Sequence, residues 1–179
     1  MVQVVERATV PTTRKQVGMA ALLLGIVTAI AVLGSLATIP NTNGWYLEVA
    51  KVPWNPPNSV FGPAWSVLYL LIALAGFLIW RTGYAGAGKE NAAKDVLWVY
   101  AVQLGLNSIW TPIFFAGYPV VGKPAWWVGL VVILPLVAVV VWLGVRAAQF
   151  SRVAAWIQVP YAAWLLFATS LNAGIIILN

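Results

Sequence analysis

The chain has 179 residues, of which 62% are hydrophobic and only 8% charged, and its formal net charge is +6. A soluble domain carries about 25% charged residues, so this composition excludes an ordinary globular domain and points to a membrane. Cysteine and histidine are absent, which excludes disulfides, thiol nucleophiles and Cys/His metal sites.

Crossing a bilayer core as a helix takes about 20 apolar residues. Five runs meet that length: 16–39, 60–80, 96–116, 126–149 and 153–178. The first follows Arg14 and Lys15, as a secretory leader would. It is too long for a leader core, and Leu36-Ala37-Thr38 is a poor cleavage site, so it reads as a retained helix. No run alternates apolar and polar residues, which argues against a β-barrel. The expected fold is all-α: one domain, 1–179, a polytopic membrane protein built as a five-transmembrane-helix bundle.

Between the first two spans lies a long loop, 40–59, that enters the segment PWNPPNSVFGPAWSVLY at 53–69. The segment is uncharged and rich in proline and aromatic rings. Proline fixes φ, so such a loop has few shapes to lose on ordering. It is expected to close a pocket at the membrane surface, with Trp54, Pro56 and Phe61 as candidate ligand contacts. The basic residues sort by side. Arg7, Arg14, Lys15, Arg81, Lys89, Lys94, Arg146 and Arg152 fall on one side, and Lys51 and Lys123 on the other. The positive-inside rule then places the N-terminus in the cytoplasm, and the loop and C-terminus outside, in a bacterial cell membrane rather than an outer membrane. The net charge is thereby explained without a nucleic-acid partner. The connector 81–95, with both signs of charge, is expected to be solvated and inside.

Polar groups within the spans are few. The third holds Gln103, Asn107 and Ser108, the fifth Thr169, Ser170 and Asn172, and no Asp, Glu, Lys or Arg sits mid-span. That argues against a proton-coupled pump and removes the usual acid–base pairs. At helical periodicity Trp65, Tyr69, Gly76 and Trp80 share a stripe on the second span, Gln103, Asn107, Trp110 and Phe114 on the third, and Tyr161, Trp164, Ala168 and Asn172 on the fifth. Aromatic rings mixed with amides and phenols suit a flat, mostly apolar ligand with a few polar edges. A mid-helix Asn serves equally as interhelical glue. Trp80, Trp98, Trp126, Trp127 and Trp156, near span ends, read as interfacial anchors, and Trp65 and Trp164 as cavity lining. Ala101 and Gly105 form a small-residue face opposite the third-span stripe, and Ala21, Gly25 and Ala29 one on the first span. Either face suits a homodimer or internal packing.

Three blocks carry a family resemblance. The first is Trp45-Tyr46 with Lys51-Val52-Pro53-Trp54-Asn55-Pro56-Pro57 and Phe61-Gly62-Pro63-Ala64-Trp65-Ser66-Val67-Leu68-Tyr69. The second is Gln103-Leu104-Gly105-Leu106-Asn107 with Trp110-Thr111-Pro112-Ile113-Phe114-Phe115, and the third Pro160-Tyr161-Ala162-Ala163-Trp164 with Phe167-Ala168 and Leu171-Asn172. Together they resemble the TspO/MBR family, the translocator or tryptophan-rich sensory proteins. The resemblance implies a five-helix bundle closed at one end by the first loop. It implies porphyrins such as protoporphyrin IX, and hydrophobic drug-like molecules, as ligands, and a sensor, carrier or regulator role in tetrapyrrole and stress responses. Pocket positions that match are Tyr46, Trp65, Asn107, Trp110, Trp164 and Ala168. For bacterial members it also implies light-dependent porphyrin degradation, with Trp65 and Trp164 at the implicated positions. A regulatory scaffold is a third reading. No cofactor or metal is implied. Two features depart from the pattern. Residues 126–130 carry no acid, and the tail 171–179 lacks the Tyr and Arg of the animal cholesterol pattern, so cholesterol binding does not follow. Leu166, where a small residue is common, is expected to narrow the pocket wall.

Overall fold

The computed structural model describes residues 10–84 and 90–179, and the chain is helical throughout its regular parts. Arg7 and Lys89 lie outside the described residues. Helix α1 is Thr13–Thr42, α2 a single turn at Trp45–Glu48, α3 Phe61–Thr82, α4 Lys94–Val121, α5 Pro124–Ala147 and α6 Arg152–Leu178. A 3-10 turn, Asn58–Val60, follows Pro56-Pro57 and leads into α3. The five long helices form a closed ring in the order α1, α3, α6, α5, α4, with α4 packing back on α1.

Local chemistry sets the helix ends. Ser151 caps α6, its hydroxyl accepting from the Ala154 N–H at 3.2 Å. Pro124 opens α5 at a position where its missing donor costs nothing. Gly122, with φ of 72°, ends α4 in a conformation other residues rarely adopt. Two helices run past their expected ends. Helix α1 continues through Pro40 to Thr42, where the Asn41 amide and Thr42 hydroxyl donate to the carbonyls of Ala37 (2.7 Å) and Ile39 (3.2 Å). Helix α4 continues through Pro112 and Pro119 to Val121. Its extra turn brings Tyr118 against Trp126, the rings stacked at 4.7 Å.

Helices α1, α3 with its leading turn, α5 and α6 are long and apolar enough to cross a membrane by length and composition. Helix α4 matches them in length, at 28 residues, but Gln103, Asn107, Thr111 and two prolines lower its apolarity. Its amides face inward, where both are buried. The outer surface of the ring exposes Leu33, Leu36, Val67, Leu70, Val131 and Val145, an apolar belt that would not survive in water. Trp98, Trp142 and Trp156 are exposed at one end of the ring, and Trp54 and Trp127 at the other, as interfacial rings are. Trp80 and Trp126 depart from the anchor reading. They are 9% and 1% exposed, because one closes the inner end of α3 and the other is covered by Tyr118 and Trp45.

Candidate functional site: an aromatic cavity under the first loop

The C-terminal half of α1, the start of α3, and the ends of α4 and α6 splay around a cavity of about 270 Å³. Trp65 stands at its centre. Its ring stacks on Tyr69 at 5.4 Å, meets Trp164 edge-on at 6.3 Å, and lies 6.3 Å from Trp110. Phe61 packs edge-on against Trp164 at 6.2 Å, and Phe114 stacks on Trp110 at 5.9 Å. These rings border the cavity and do not fill it. Among the described residues no charged side chain lines the cavity.

Polar support lies directly behind this wall. The Tyr69 hydroxyl donates to Asn107 Oδ1 at 3.0 Å, Asn107 Nδ2 donates to the Tyr161 hydroxyl at 2.9 Å, and Tyr161 donates to Gln103 Oε1 at 3.1 Å. This buried chain ties α3, α4 and α6 at one level and fixes the ring on which Trp65 stacks. Each such bond contributes about 1 kcal/mol net, and breaking one costs more if it strands a buried partner. On the far wall Asn172 Nδ2 donates to the Trp126 carbonyl at 3.0 Å and pins α6 to the start of α5. The indole N–H groups of Trp110 and Trp164 are buried without a partner among the described residues.

The loop closes the outer end. Its turn α2 sends Tyr46 inward, buried, with its hydroxyl on Asn55 Oδ1 at 2.7 Å. Burial pushes the Tyr46 phenol up to about 12, so it stays neutral at physiological pH. Trp45 donates to the Phe115 carbonyl at 3.0 Å and packs on Tyr118 and Trp126. Asn58 Nδ2 donates to the Thr42 carbonyl at 3.0 Å and joins the loop to the end of α1.

Nine residues singled out from sequence converge on this cavity: Tyr46, Phe61, Trp65, Tyr69, Trp110, Phe114, Trp164, Ala168 and Asn172. Three do not form its wall. Asn107 lies one hydrogen bond behind Tyr69. Trp54 is 57% exposed, its indole donating to Ser170 Oγ at 3.2 Å. Pro56 sits in the loop, its carbonyl accepting from Asn55. Leu166 is 57% exposed on the outer face and narrows nothing. Gly76 is also off the wall, its face taken by Tyr100. The α1 wall, from Ala31 to Thr42, was missed by sequence reasoning. The signal was a hydroxyl stripe, Ser35, Thr38 and Thr42, at helical spacing. Helix α5 contributes no lining residue, so the acid-free stretch 126–130 lies behind the wall.

A ring of apolar helices around an aromatic cavity defines a helical membrane protein with a pocket in its outer half. The TspO/MBR family model matches residues 21–178, and the chain belongs to that family and is an integral membrane protein. It is 35% identical over 153 residues to the tryptophan-rich protein TspO of Archaeoglobus fulgidus, covering 86% of this chain and 92% of that one. It is 36% identical over 128 residues to the translocator protein of Homo sapiens, covering 72% and 70% of the two chains. With the tryptophan-rich sensory protein of Cereibacter sphaeroides it shares 32% identity over 164 residues, covering 89% and 92%.

Proposed function

We propose that all five long helices span the membrane as one domain, and that the cavity binds a flat, largely apolar tetrapyrrole such as protoporphyrin IX, or a drug-like molecule of similar shape. In this reading the protein acts as a sensor or carrier. The observation that carries it is the convergence of Trp65, Trp110 and Trp164 with Tyr46, Phe61 and Tyr69 on one uncharged void. Stacked or edge-on rings add about 0.5–1.5 kcal/mol per contact beyond burial. Porphyrin should therefore quench the tryptophan fluorescence of the protein in lipid nanodiscs. Replacing two contacts by Trp65→Phe and Trp164→Phe together should weaken binding about tenfold or more. An unchanged quench and affinity would place the site elsewhere.

The fold's ends support the proposed orientation. Arg14, Lys15, Arg81, Lys94, Arg146 and Arg152 gather at the end away from the loop, and Lys51 and Lys123 at the loop end. Cysteine labelling tests it cleanly in a chain without native cysteine. Pro57→Cys should react with an impermeant thiol reagent in intact cells, and Gln149→Cys should not. The reverse pattern would invert the topology.

A homodimer through Ala101 and Gly105 belongs to the same proposal. Both residues are exposed, and a Cβ on Gly105 would meet nothing within 4 Å, so this face is free for a partner helix. Light-dependent loss of bound porphyrin, with dioxygen as oxidant, is a second reading. It draws on Trp65 and Trp164 facing one void with ring centroids 6.3 Å apart. Illumination of the complex in air should then bleach the Soret band, and slower bleaching in the double Phe variant would tie the loss to these rings.

A further inference from the structure

The cavity has two boundaries, and they are built differently. Toward the aqueous side the loop is fastened along α6. Trp54 bonds Ser170, the Asn179 amide exchanges bonds of 3.0 and 3.1 Å with the Ala50 backbone, and Val52 presses into the notch left by Gly174. Toward the membrane, a groove of about 420 Å³ runs along the outer seam of α1 and α3. Ala31, Ser35, Ile39, Ser66 and Tyr69 line both the groove and the cavity. These five residues border both spaces, and three of them are Ala or Ser. Among the described residues no hydrogen bond joins α1 to α3 along the groove; the Asn58–Thr42 bond at the outer end of α1 belongs to the loop, which is held by this and the four bonds of Trp45, Trp54 and Asn179. The cavity alone, at about 270 Å³, falls just short of the usual ligand-pocket range of about 300–1,000 Å³.

We propose that the α1–α3 seam, not the loop, is the entrance to the cavity, and that the groove outside it is a docking site for a flat aromatic ligand dissolved in the membrane. The inference rests on the ligand-binding reading above. A planar apolar molecule concentrates in lipid and meets the groove there. Parting α1 from α3 along the groove breaks dispersion contacts and no described helix-to-helix hydrogen bond, while lifting the loop breaks hydrogen bonds and exposes Tyr46 and Trp45 to water. The Ser35 and Ser66 hydroxyls stand at the seam, where a polar ligand edge passing through hydrocarbon would find partners.

The test compares two covalent locks. For the loop, a Cβ at Gly174 would lie 3.6 Å from that of Val52, within reach of a disulfide, so Val52→Cys with Gly174→Cys locks it to α6. For the seam, Val32→Cys and Leu70→Cys, which line the groove from opposite helices and not the cavity, are joined by a cleavable bis-maleimide. Protoporphyrin IX association and release are followed by tryptophan quenching in stopped flow, with the protein in nanodiscs. The seam lock should slow both rates about tenfold or more at little-changed affinity. Cleaving the linker should restore them, and the loop lock should leave both rates as in the wild type. Slowing by the loop lock, or no slowing by the seam lock, overturns the proposal. Absence of any saturable quench in the unlinked wild type would instead overturn the ligand-binding reading.

Discussion

In the inner half of the bundle Tyr100 fills a notch at Gly76, its hydroxyl on the Ile72 carbonyl at 3.1 Å, and Ile79, Val140, Leu143, Ala147 and Ala154 are wholly buried. In the outer half the same helices turn Trp65, Trp110, Trp164 and Phe61 toward one another, and a void remains. The difference lies in shape rather than apolarity. In the inner half branched aliphatics and a glycine notch fit closely, whereas in the outer half the rings border a space they do not fill. The inner half supplies stability that lets the outer half stay open. The Tyr69–Asn107–Tyr161–Gln103 chain marks the boundary between them.

Substitution should separate the halves. Gly76→Val is expected to have the largest effect on folding, because a Cβ there would lie 2.5 Å from Tyr100 Cζ. Overpacking of this kind costs about 1–3 kcal/mol, and more where the neighbour is hydrogen-bonded in place. Thermal unfolding in detergent should fall sharply, whereas Trp65→Phe with Trp164→Phe should change binding and leave unfolding nearly as in the wild type. Equal thermal losses in both variants would break the contrast. At the boundary, Asn107→Leu strands the Tyr69 hydroxyl and should cost about 1–3 kcal/mol of stability. It should also weaken porphyrin binding by freeing the ring under Trp65, and a loss of stability with unchanged affinity would confine Asn107 to helix packing. Gly105→Leu should have the smallest effect on folding, about 0.5 kcal/mol or less, since the site faces open space. Analytical ultracentrifugation should nonetheless show a shift from dimer to monomer. A persistent dimer would move the interface to the exposed Ala21/Gly25/Ala29 face of α1.

Much of this was legible in the chain itself. The positions of the helices, the closing loop and most of the aromatic wall follow from apolar length, proline and helical stripes. Helix ends were less so. Helix α4 runs on beyond 116 through Pro119 and stops only at Gly122 with its positive φ, and that extra turn supplies the Tyr118 ring that buries Trp126. An isolated Trp near a span end looks like an anchor until the partner above it is placed. The α1 wall was missed for a related reason. A stripe shows which residues share a face but not which neighbour the face meets, and Ser35, Thr38 and Thr42 acquire meaning only once α1 is set beside α3 and α4. Asn107 shows the reverse case. Its stripe pointed inward correctly, but Tyr69 stands between it and the void.

The central claim is that the outer void is a ligand site, and the most direct measurement is a structure of the protein with protoporphyrin IX in a lipid environment. The expected result is macrocycle density among Trp65, Trp110 and Trp164, beneath a loop still fastened at Trp54 and Val52. Density lying wholly outside the cavity, with the three indoles unmoved around an empty space, would contradict it.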